Sequence, residues 1–103
     1  MRRTHNLIQI LNAILDTDGD RVWGYDLQKR AAVRSGALYP VLRRLHEQGW
    51  LEDGWEDPAE IAEARPPRRY YTVTPDGHAR IRELLADAAA DRRFAGILKR
   101  ETS

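Results

Sequence analysis

The sequence predicts an α+β fold, and three observations carry that prediction. Apolar residues recur at helical spacing in four separate segments. Two short runs rich in aromatic and β-branched residues lie between the third and the fourth, and the breaks fall on glycine, proline and aspartate. At 103 residues the chain has room for one core. A chain of this size buries roughly 60 to 65% of its unfolded surface, so a helix with a spare apolar face would gain from a second copy.

Leu7, Ile8, Ile10, Leu11, Ile14 and Leu15 predict a first helix over 4–15, which stops at the turn composition DTDGD. Arg21-Val22-Trp23 fits a short strand. GYDLQKRA over 24–31 makes about two turns of a second helix, with Tyr25 or Leu27 and Ala31 inward. A break at Ala32-Val33-Arg34 precedes a third helix over 35–48, closed by Gly49. Stepping 100 degrees per residue from Leu38 puts Val41, Leu42 and Leu45 within about 60 degrees of it, which defines the core face. Residues 50–55 and 69–73 read as two strands. The segment 56–68 between them holds three prolines and many charges, a long hairpin loop. Thr74 is placed as an N-cap with Pro75 at the first helical position, and Ile81, Leu84, Leu85 and Ala88 carry a fourth helix to about Asp91. The expected domain is 1–91, with 92–103 a helix extension or flexible tail.

Two short helices joined by a tight turn make a helix-turn-helix, whose second helix enters a DNA major groove. A hairpin directly after it is a wing. The order therefore predicts a winged helix-turn-helix: three helices, a two-stranded wing and a C-terminal helix.

Charge distribution supports a basic partner surface. Residues 52–63 hold six acids and no base, which leaves ten acids against all 17 Lys and Arg elsewhere, although the net charge is only +1. On the third helix the side opposite Leu38 carries Gly36, Pro40, Arg43 and Glu47, flanked by Tyr39 and Arg44. Gly36 and Ala37 keep the N-terminal end bare, so it can approach a duplex closely and offer its free N–H groups to phosphate. With Ser35 as N-cap, Pro40 removes only about one early hydrogen bond. Arg43 is the first candidate for reading a base edge, and Tyr39 for donating to a phosphate. An Arg-Arg pair on a helix is more often a solvated face; the turn before it and the hairpin after it favour DNA. Arg34 at the turn and Arg65, Arg68 and Arg69 on the wing complete the candidate contacts. The acids Glu56, Asp57, Glu60 and Glu63 are expected to bend away from the duplex, leaving those arginines nearer to it.

GYDLQKR, SGALYPVLRRLHEQGWLE and RPPRRYYTVTPDG together resemble the PadR family of winged-helix transcriptional regulators over about residues 24–77. The resemblance implies a homodimeric DNA-binding repressor that reads a near-palindromic operator with the GALYP helix and rests its wing on the backbone. It also implies that the first and last helices build the dimer. Leu7, Leu11, Ile81, Leu84, Leu85 and Ala88 are the residues expected there. The turn at 31–34 is shorter than in many members, alanine at position 37 replaces the commoner threonine, and the end of the chain fits the short-tailed subgroup without a large effector domain. A small-molecule effector, of unknown identity, is implied by some relatives. The rival reading is a winged helix used as a protein-protein interaction module, with no specific DNA binding.

Other signals carry less. With no cysteine, disulfides, thiolate metal sites and cysteine nucleophiles are excluded. DTDGD has its glycine at the wrong position for a calcium loop, with Leu27 where the bidentate glutamate belongs. His5, His46 and His78 have no ligand spacing, and Ser35 and Ser103 no nucleophile motif. Neither enzyme activity, cofactor nor metal is expected. Trp23 and Trp50 are expected to pack the wing against the helices, with Trp55 partly exposed. The opening MRRTHNLIQILNAILD reads as neither signal peptide nor membrane span, and a cytoplasmic protein with no membrane partner is expected.

Overall fold

Local capping sets where the helices begin. Thr4 takes an extended backbone and its Oγ1 accepts from the Leu7 N–H at 3.1 Å, opening α1 (His5–Leu15). The computed structural model describes residues 2–17, 19–94 and 96. After α1 come β1 (Val22–Trp23), α2 (Gly24–Ala31), α3 (Ser35–Glu47), β2 (Leu51–Trp55), β3 (Arg69–Val73) and α4 (Pro75–Ala89). Single 3₁₀ turns lie at Pro58–Glu60 and Arg92–Phe94.

The turn between α2 and α3 is built on Ala32, which takes the left-handed conformation with φ 54° while the Val33 N–H bonds the Gln28 carbonyl at 3.2 Å. That reversal fits two helices into a three-residue link. Gly49, at φ +78°, ends α3, and the Trp50 N–H returns to the Leu45 carbonyl at 3.0 Å. At the start of α4 Thr74 Oγ1 accepts from the Gly77 N–H at 2.9 Å and donates to the Gly49 carbonyl at 2.7 Å. One side chain thus caps α4 and ties it to the end of α3.

The three strands form one antiparallel sheet in the order β1-β3-β2, with Val22 opposite Tyr71, Asp53 opposite Tyr71 and Trp55 opposite Arg69. The sheet extends the expected two-stranded wing by β1. Leu51, Asp53 and Trp55 share one face with Val73, Tyr71 and Arg69, because side chains alternate along a strand. Buried Leu51 and Tyr71 turn that face toward the core. On the other face the ring of Tyr70 covers Gly54, where an added Cβ would stand 2.7 Å from it, and packs edge-on against Trp23 at 5.5 Å.

α1 lies at the centre. It packs against α2, α3 and α4, and Leu7, Ile8, Ile10, Leu11, Ala13 and Ile14 are all buried. Leu38, Leu42 and Leu45 supply the α3 contribution and are fully buried, as the helical wheel predicts, with Val41 at the margin. In α2 the inward residue is Leu27; Tyr25 stands outside, 48% exposed. Phe94 tucks the 3₁₀ turn after α4 back into the core against His5, so ordered structure continues past Asp91. Residue 95 and residues 97–103 of the expected tail lie outside the described residues.

Five of the six residues expected to build a dimer are already covered within one chain. Leu7, Leu11, Ile81, Leu85 and Ala88 are buried within the single chain, where α1 and α4 meet. The stripe that looks spare in the sequence of α4 is the seam it makes with α1. Of the six expected residues only Leu84 keeps exposed surface.

Candidate nucleic-acid interface

α3 presents its bare end as the wheel predicts, with one shift. Arg34, not Ser35, is the N-cap: it holds the extended backbone (φ −78°, ψ 157°) and its carbonyl accepts the first helical bond, from the Leu38 N–H at 2.9 Å. Ser35 therefore sits one residue inside the helix, and no side chain caps this end. Gly36 faces open space, with no atom within 4 Å of where a Cβ would stand, so the chain's own packing does not demand glycine there. Ala37 is partly buried, while Pro40, Arg43 and Arg44 are exposed. Tyr39 is 43% exposed, and its phenol lies over Gly24, where an added Cβ would stand 2.6 Å from the hydroxyl. Glycine at the start of α2 thus makes room for a tyrosine of α3.

The charges sort into paired and unpaired groups. Asp53 receives Arg69 through Nε at 2.9 Å and Nη2 at 2.6 Å, and its other oxygen lies 3.0 Å from His46 Nε2. A wing carboxylate thereby connects β3 to α3. Glu56 receives both Nη atoms of Arg65, at 2.7 and 3.1 Å, and accepts the Arg68 N–H at 2.8 Å. Glu56, one of the acids expected to bend away from a duplex, thus holds Arg65, one of the arginines expected to lie nearer to it. Among the described residues no ion pair engages Arg34, Arg43, Arg44 or Arg68. The Arg68 guanidinium lies over the ring of Tyr25, 5.0 Å from its centre.

These side chains frame a groove between α3 and the sheet. A hollow of about 340 Å³ is lined by Gly24, Tyr25, Tyr39, Arg68, Arg69 and Tyr71. An adjoining one of about 220 Å³ shares Tyr39, Arg69 and Tyr71 and adds Arg43 and His46. A third, of about 330 Å³, lies elsewhere, between the end of α1, the sheet and His78, and no arginine lines it. Sequence reasoning missed Tyr25 and Asp53 as parts of this surface. Asp53 could have been found, since it alternates with Leu51 and so must share the inward face of β2.

The two wing bridges give the fold an acid-sensitive element. Arg65's hydrogen bonds, with the Arg68 N–H, hold the Glu56 carboxyl at about 2, well below its ordinary 4.5, against the opposing effect of burial. Arg69 holds Asp53 low in the same sense. A carboxyl whose folded pKa is depressed stabilises fully above its unfolded pKa, and that contribution is lost as pH falls through the folded one. Circular dichroism during acid titration should therefore show the loss between about pH 4.5 and 2, and Glu56→Gln should flatten that limb. An identical acid limb in the variant would show that the bridge contributes nothing.

Among the described residues no helix is long and apolar enough to cross a membrane. The family model of the Transcriptional regulator PadR-like family matches residues 10–83. Among solved structures, a PadR family transcriptional regulator from Eggerthella lenta DSM 2243 is 26% identical with a TM-score of 0.67, over 91% of this chain and 83% of that one. Bordetella bronchiseptica BpsR, described by regulation of its DNA binding by 6-hydroxynicotinic acid, is 25% identical with a TM-score of 0.64, over 91% of this chain and 67% of that one. A PadR family regulator from Clostridium difficile R20291 shares the fold at 14% identity and a TM-score of 0.66, over 97% and 100% of the two chains. No curated protein matches. A model match over most of the chain, on a winged helix that holds an unpaired arginine on the bare face of its third helix, places this protein in the PadR-like family of transcriptional regulators.

Proposed function

We propose that the protein is a homodimeric, sequence-specific DNA-binding repressor. Two copies of α3 would enter successive major grooves of a near-palindromic operator, about one helical turn apart. The observation that carries this reading is Arg43, exposed and without a carboxylate partner among the described residues, about two turns beyond the bare Gly36 end of α3. Arg43 reads base edges, Tyr39 and Arg34 contact phosphate, and Arg44 flanks them; Ser35, Gly36, Ala37 and Pro40 let the helix end come close. On the wing Arg68 is the available cation. Arg65 and Arg69 act first on Glu56 and Asp53, which they neutralise beside the duplex.

Selection of bound duplexes from random DNA with the purified protein tests this. A single enriched motif with two related halves supports it, and no enrichment together with no shift of any duplex returns the chain to a protein-binding role. For the dimer, Leu84 is the one member of the expected set that is only partly buried, and the buried stripe of α4 supports it from beneath. Sedimentation equilibrium should give twice the chain mass at micromolar concentration, and Leu84→Glu should shift it to the monomer; a monomeric wild type would overturn dimerisation. The regulation of BpsR by 6-hydroxynicotinic acid supports control by a small molecule here also, without identifying it.

A further inference from the structure

We infer that Tyr25, Tyr39 and Arg68 form a seat for one backbone phosphate of the DNA strand that passes between the reading helix and the wing. The inference rests on the DNA-binding reading. If α3 lies in a major groove and the wing reaches the neighbouring minor groove, a single sugar-phosphate strand separates the two. That strand has to cross the protein between α3 and β3. The hollow of about 340 Å³ lies there, with the rings of Tyr25 from α2 and Tyr39 from α3 at its sides and Arg68 immediately before β3.

The charge pattern around the hollow favours an anion. The carboxylates nearest the hollow have their own arginines: Asp26 has Arg30 at 2.9 Å, Asp53 has Arg69, and Glu56 has Arg65, while Glu47 at the far end of α3 and Glu52 on β2 pair with no cation among the described residues. Arg68 is paired with no carboxylate among the described residues. Its guanidinium rests on an aromatic face, an arrangement that holds the cation in place and leaves its N–H edges open to an oxygen ligand. Tyr25 and Tyr39 are two of the three exposed large hydrophobic residues among the described ones, and both carry a hydroxyl that can donate to a phosphate oxygen. Nothing in the core requires Tyr25 to be a tyrosine, since Leu27 supplies the inward contact of α2.

A seat of this kind positions without specifying, because phosphate contacts fix register while base contacts carry sequence. Fluorescence anisotropy on a labelled duplex carrying the selected motif, and on an unrelated duplex, tests it. Tyr25→Phe removes one hydroxyl and nothing else. It should weaken binding about tenfold on both duplexes, near the lower end of what a lost hydrogen bond to a charged group costs. Arg68→Ala should weaken both and reduce the slope of log affinity against log salt by about one. Replacing phosphates of the motif one at a time by neutral methylphosphonate should identify one position per half-site that costs the wild type more affinity than it costs Tyr25→Phe or Arg68→Ala. If both variants bind like the wild type while Arg43→Ala loses the motif, the seat is wrong and the reading helix stands. If the wild type binds no duplex, both fall together.

Discussion

Gly77→Ala is expected to destabilise the fold by about 3 kcal/mol, at the upper end of what overpacking costs. A Cβ at Gly77 would collide with the carbonyl oxygen of Trp50 and stand 2.8 and 2.9 Å from its C and Cα atoms. The obstacle is backbone, so no rotamer change relieves it. That backbone is also pinned, since the Trp50 carbonyl accepts the Thr74 N–H at 3.0 Å and Thr74 Oγ1 bonds the Gly49 carbonyl. The first turn of α4 would have to move away, loosening Ile81, Leu85 and Ala88 from the seam with α1. Gly36→Ala provides the control within the same molecule. It also replaces a helical glycine but meets open space, so it should stabilise the fold by about 0.5 to 1 kcal/mol through reduced chain entropy. In a domain of this size each kcal/mol moves the melting temperature by roughly 4 to 8 °C. Thermal melts of the two variants should separate in opposite directions, and a Gly77→Ala protein that melts at or above wild type would show that α4 does not approach Trp50 so closely.

What was legible in the sequence was what local chemistry decides. Gly49 and Thr74-Pro75 mark helix ends because a left-handed backbone and a hydroxyl cap act within a few residues. Leu38, Leu42 and Leu45 share a face by helical geometry alone. β1 was harder, since two residues form a strand only because Tyr70 and Tyr71, nearly fifty positions later, pair with them. The charge pairs were hidden for the same reason: Arg69 meets Asp53 across a long loop, and in sequence both look like solvated surface. The wheel shows that a helix has an apolar stripe and does not say what covers it; within this chain α1 covers Ile81, Leu85 and Ala88. Ser35 missed the cap by one residue, since Arg34 can adopt an extended backbone as readily as a serine.

Arg43→Ala is expected to cost about 1 to 3 kcal/mol on the selected motif, roughly fivefold to 150-fold in affinity, and much less on unrelated duplexes. An arginine that reads a guanine makes a bidentate pair with its O6 and N7, so removing it relaxes the preference at one position in each half-site. Two neighbours separate this from a general loss of charge. Arg44 has no carboxylate partner among the described residues either, but lies on the flank of the face, so Arg44→Ala should weaken all duplexes by a similar factor and lower the salt slope. Arg69→Ala should do more than remove a cation, because it unmasks Asp53 near the groove; adding Asp53→Asn should recover part of the loss. The decisive comparison is the ratio of affinities for the motif and for unrelated DNA. A ratio that falls for Arg43→Ala and holds for Arg44→Ala assigns base reading to the side of α3 opposite Leu38. A ratio unchanged by Arg43→Ala would mean that another face of the helix, or the wing, reads the sequence.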